Sequence, residues 1–143
     1  GKPAPGDELS YHVHHIRRPP RPQPEGQRVI IRKLADVEKT SVDMDGVKGI
    51  TKQLVIGSAD GVPGFSFRVF TVEPGGHSQH HTHDLEHLNY VISGKGALVD
   101  GEGNLNAISA GEFAFVAPGD VHQFRNTGDE PFVFICAVPR EYE

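Results

Sequence analysis

GGHSQHHTHDLEHLNYVISG, residues 75–94, is the stretch from which the chain is best read. Six of the nine histidines lie between positions 77 and 122, five of them inside this stretch. On an extended strand alternate side chains share a face, so His81 and His83 are expected to project together. His87 opens a new apolar run after a short break. His122 comes much later, behind Pro118-Gly119-Asp120, and opens another. Antiparallel strands that neighbour in a barrel can bring such distant positions to one point. Neutral imidazole binds Zn, Fe, Ni and Cu well, and Mn less strongly. Spacing on a strand alone leaves two readings open, a metal clip or ordinary surface and core histidines.

Outward from this stretch the pattern is one of short apolar runs punctuated by Gly, Pro and Asp. Expected strands are 29–33, 53–57, 65–72, 76–83, 87–93, 97–100, 104–108, 113–117, 122–126 and 132–138. The breaks are turn chemistry, among them Asp60-Gly61-Val62-Pro63-Gly64, Pro74-Gly75-Gly76 and Ser93-Gly94-Lys95-Gly96. No run has apolar residues at helical spacing, and residues 34–48 read as a loop with one short helix. Such short strands at regular intervals predict an all-β sandwich or barrel.

The 143 residues suit one domain, taken as 28–143. Residues 1–27 hold six of the eleven prolines and read as a flexible tail. Its His12-Val13-His14-His15 run could chelate metal weakly, or be no more than solvated tail. A net charge of −5 does not suggest a nucleic-acid or acidic-membrane partner. No apolar run approaches a bilayer-crossing length, nor the apolar stretch of a signal peptide. The single cysteine, Cys136, excludes an internal disulfide and predicts a reducing, cytoplasmic setting.

The histidine stretch resembles the first of two motifs of the cupin superfamily. Gly75 is followed by five residues, then His81-Thr82-His83, three residues, His87, six residues and Gly94. Every spacing matches; His87 stands where the family usually has Glu. Gly111, Ala117, Gly119, His122 and Asn126 follow the second motif, with Ala117 in the place of a proline. Sixteen residues separate Gly94 from Gly111, as in a compact single-domain member. The resemblance covers about residues 50–139. It implies a double-stranded β-helix, a jelly-roll barrel that is often a homodimer. It also implies one divalent metal ion (Fe, Mn, Ni, Zn or Cu) held by His81, His83, His87 and His122. It does not select a reaction.

An all-histidine shell leaves the metal's charge less neutralised than one with Glu, which favours anionic, chelating small-molecule ligands. Three catalytic candidates follow. Glu86 adjoins His87 but has the opposite strand parity. Asn89 shares the inward face with His87 and Val91, where a buried amide needs a partner. Arg68 could anchor a substrate carboxylate or serve a barrel-exterior or interface ion pair. Phe124 shares the face of His122 and is expected to wall the pocket or pack the core. Cys136 reads as a buried inert thiol, and His77 and His80 as surface residues. The leading function is a metal-dependent enzyme of dioxygenase, isomerase or lyase type. The alternatives are a non-catalytic metabolite-binding or sensing barrel, and a barrel with a structural metal.

Overall fold

The computed structural model of the protein describes residues 29–143. The expected tail, its histidine run and the boundary expected between residues 27 and 28 lie outside the described residues. The strands are β1 (Thr40–Ser41), β2 (Lys48–Ile56), β3 (Phe65–His77), β4 (His87–Ser93), β5 (Lys95–Val99), β6 (Leu105–Ser109), β7 (Phe113–Val116), β8 (Gln123–Asn126) and β9 (Phe132–Pro139). Short 3-10 turns span Leu34–Asp36, Ser58–Asp60 and Arg140–Tyr142. No helix among these residues is long and apolar enough to cross a membrane.

All strand pairings are antiparallel, in the order β6-β5-β8-β3-β9-β4-β7, with β2 on β3 and β1 on β2. The result is the nearly closed jelly-roll barrel that the two motifs imply. β3 joins its two halves: Phe65–Val72 pairs along β9, and the terminal His77 pairs with Arg125 on β8. Strand alternation fills the interior. On β9, Phe132, Phe134, Cys136 and Val138 are buried and their neighbours are half-buried. Val72, Val91, Ile50, Ile108 and Phe124 complete the cluster, with the Phe124 and Phe134 rings stacked at 4.3 Å. Each such side chain contributes roughly 1.5–3 kcal/mol by leaving water.

Asn126 is structural. Its amide nitrogen donates to the carbonyls of Val72 (2.8 Å) and Glu130 (2.7 Å), and its oxygen accepts from the Gly128 N–H (2.8 Å). At Gly94, φ is +79° and a Cβ would lie 2.3 Å from the Pro131 carbonyl oxygen, so the β4–β5 turn admits no side chain there.

Several expected strands are corrected. Residues 29–33 form no strand; Arg32 is tied instead by its guanidinium, which donates to the Val55 carbonyl and to both carboxylate oxygens of Asp60. β2 begins at Lys48 rather than at residue 53, and Thr40–Ser41 adds a strand within the presumed loop. No separate strand spans 76–83. Pro74-Gly75-Gly76 is a bulge within β3 and not a turn: Ile50 faces Val72 while Lys48 faces His77. The extra β3 residues are accommodated because Gly75 takes φ +78° and a Cβ on Gly76 would collide with the Lys48 carbonyl oxygen at 2.7 Å.

Candidate metal centre

His81 is not on a regular strand. A single antiparallel bridge ties it to His122, each N–H donating to the other's carbonyl at 3.0 and 2.8 Å. That bridge sets two histidines from distant motifs side by side. His83 follows one residue on from Thr82, and the Gly119 N–H donates to its carbonyl at 2.7 Å, which ties this loop to the turn before His122. β4 carries His87, which is 5 % exposed.

His81, His83 and His122 each bring one ligand atom within 4.8 Å of the others. His87 lies outside this triad. Its ring stacks on His83 at 4.6 Å and stands 5.4 Å from His122, measured between ring centroids. Three of the four rings are engaged at Nδ1: His81 with Gln79 Oε1 (3.0 Å), His122 with the Asp120 carbonyl (3.0 Å), His87 with Cys136 Sγ (3.5 Å). Donation from Nδ1 to an oxygen leaves Nε2 of His81 and His122 as a lone-pair donor, the tautomer a metal ligand requires. Nε2 of His87 is buried without any hydrogen-bond partner. An orphaned imidazole nitrogen beside three others fits a divalent cation, because a buried polar atom is otherwise costly.

Electrostatics also favour neutral imidazoles. Burial first, then the neighbouring histidines, push His81 down to about 4. Burial and then Arg68 push His87 down to about 3. Burial and then His122 lower His83 as well.

The four imidazoles line a cavity of about 280 Å3 inside the barrel. Two cations share it, Lys52 from β2 and Arg68 from β3. Arg68 faces the cavity instead of the barrel exterior. It donates to the Tyr142 carbonyl (3.0 Å) and to Cys136 Sγ (3.1 Å), and its Nε is buried without a partner. Burial, and then Arg68, lower the pKa of Lys52. Phe124 lines the cavity.

Glu86 and Asn89 are not among the residues lining it. Asn89 is buried and donates to the Ile135 carbonyl at 3.3 Å. Cys136 is buried and borders the cavity between Arg68 and His87. His80 lies at the surface, with Nε2 2.8 Å from the Asp100 carbonyl, and His77 does not line the cavity. Sequence reasoning missed Lys52 and Gln79. Lys52 sits among polar neighbours ahead of residue 53, where the sequence predicts the strand to begin, and Gln79 acts from the loop after β3, where the sequence predicts a strand.

A family model described as Cupin domain matches residues 68–138. The 1-methylthio-D-xylulose 5-phosphate methylsulfurylase of Rhodospirillum rubrum is 32 % identical over 94 residues, 66 % of this chain and 58 % of that protein. This chain therefore spans under three fifths of that relative's length. A glucose-6-phosphate isomerase of Thermococcus gammatolerans is 26 % identical over 137 residues, 81 % of this chain and 72 % of that protein. Among solved structures, the polyketide cyclase RemF from Streptomyces resistomycificus superposes with a TM-score of 0.74 at 28 % identity, covering 78 % of this chain and 80 % of that one.

Proposed function

The chain belongs to the cupin family, and from that we propose that it is a metal-dependent enzyme acting on a small anionic or chelating metabolite, of dioxygenase, isomerase or lyase type. One observation carries the reading: the buried, partnerless Nε2 of His87 sits with the His81, His83 and His122 imidazoles in a cavity that also holds two cations. His81, His83, His87 and His122 would hold one divalent ion, whether Fe, Mn, Ni, Zn or Cu. When bound, such an ion polarises the ligand's oxygens as a Lewis acid.

The chain's own residues do the rest. Gln79 and the Asp120 carbonyl orient His81 and His122. Arg68 and Lys52 attract an anion into a site where low dielectric strengthens the attraction. Lys52, its pKa lowered by burial, can hold or release a proton at Nζ. That relatives are named as a methylsulfurylase, an isomerase and a cyclase supports turnover over simple binding. The single buried thiol supports a reducing, cytoplasmic setting. The exposed apolar outer face of β4 and β7 supports a homodimer.

Calorimetric titration of the zinc-loaded chain with oxalate tests the reading. Oxalate should bind only when metal is present, and Lys52→Gln should weaken it by about tenfold, the scale of one charge-assisted hydrogen bond. Metal uptake with no oxalate binding would assign the ion a structural role.

A further inference from the structure

The cavity is chemically divided. Apart from the imidazoles, Lys52, Arg68 and the Cys136 thiol, its lining is mainly hydrocarbon, from Val42, Met44, Val47, Ile50, Phe124 and Phe134. Two neutral polar side chains, Ser78 and Gln79, also border it, and both are already engaged. Ser78 Oγ accepts from the Phe124 N–H at 2.8 Å and donates to the Gln79 carbonyl at 3.3 Å. Gln79 uses its oxygen on His81 and its nitrogen on the Asp45 carbonyl. Cys136 Sγ already contacts Arg68 and His87, so beyond the imidazoles and the two cations a ligand meets no free donor or acceptor side chain.

This division bears on what can bind. A polyhydroxylated sugar phosphate presents a hydroxyl on nearly every carbon, and each one buried against Ile50 or Phe134 would lose its water without gaining a partner. An apolar body loses nothing there and gains by leaving water. We infer that the ligand of this site carries its chelating anionic group at one end and an apolar body at the other, as an aryl- or branched-alkyl-substituted keto-acid or β-dicarbonyl does, and is not a sugar phosphate. This rests on the reading of the histidine centre as a site for chelating anions. Met44, 58 % exposed, stands at the rim and would meet the apolar end.

The test is calorimetric titration of the zinc-loaded full chain with pyruvate, phenylpyruvate and glucose 6-phosphate. Pyruvate is the chelating head alone, and phenylpyruvate adds the apolar body. Phenylpyruvate should bind tighter than either of the others by on the order of tenfold or more. Met44→Gln, a change at an exposed position that the fold tolerates, should reduce the ratio of phenylpyruvate to pyruvate affinity. Equal affinity for the two keto-acids, or tighter binding of glucose 6-phosphate, would overturn this inference and leave the chelating centre standing. If the metal-loaded chain bound none of the three, the chelating centre itself would fall, and this inference with it.

Discussion

At His81 and His122 one ring nitrogen is engaged by a side-chain or backbone oxygen and the other is left for the cavity. The spacing of His81, His83, His87 and His122 is plain in the sequence, since a motif is a matter of chain distance. Arg68 is legible as a carboxylate anchor, but Lys52 and Gln79 are not, because Lys52 reaches the site through the pairing of β2 with β3 and Gln79 from the loop that follows β3, and no local pattern announces either. Burial has a further consequence at this scale. His81 and His87 titrate at about 4 and about 3 in the folded, metal-free protein, against 6.5 as an ordinary value. Between these limits the unfolded chain takes up protons that the folded chain refuses. Stability of the metal-free protein is therefore highest above about pH 6.5 and falls as pH drops toward 4. Thermal melting in chelator should show a lower Tm at about pH 5 than at about pH 7.5, before carboxylates titrate. An unchanged Tm would show that these rings are protonated as readily in the fold as outside it.

Among the elements, β4 is the clearest case of legibility. His87–Ser93 alternates buried and exposed positions and ends at a glycine, so both of its bounds could be read. β3 is the contrary case. Pro74-Gly75-Gly76 has the composition of a turn, yet the pairing of Lys48 with His77 holds the strand together through it. Turn residues and bulge residues are the same residues; only the partner strand distinguishes them. The convergence of His81 and His83 survives this difference because it depends on the bridge to His122, not on strand alternation. The tight β4–β5 turn gives a direct test. Gly94→Ala would place a methyl group 2.3 Å from the Pro131 carbonyl oxygen at a positive φ. It should destabilise the protein by about 2–3 kcal/mol, seen as a lower midpoint in urea. A change below about 0.5 kcal/mol would mean the turn has room that the structure does not show.

For the whole molecule, the outer face of β3, β9, β4 and β7 is an apolar band. Leu88 pairs with Phe115 and with Ala137, which in turn pairs with Phe67. Phe115 is 66 % and Phe113 78 % exposed. Single exposed apolar residues are ordinary, but a contiguous band marks an interaction surface. Two copies joined there would cover it. Sedimentation should give a dimer, and Phe115→Glu should give a folded monomer; a monomeric parent protein would remove the homodimer from the proposal. The proposed metal centre would draw on the barrel, the cations and the bridge between His81 and His122 together. X-ray absorption at the zinc edge of the chain loaded with one equivalent of Zn2+ addresses it most directly. The prediction is a shell of three or four imidazole nitrogens at about 2.0–2.1 Å. A sulfur at about 2.3 Å, which would implicate Cys136, or a shell without imidazole scattering, would contradict it.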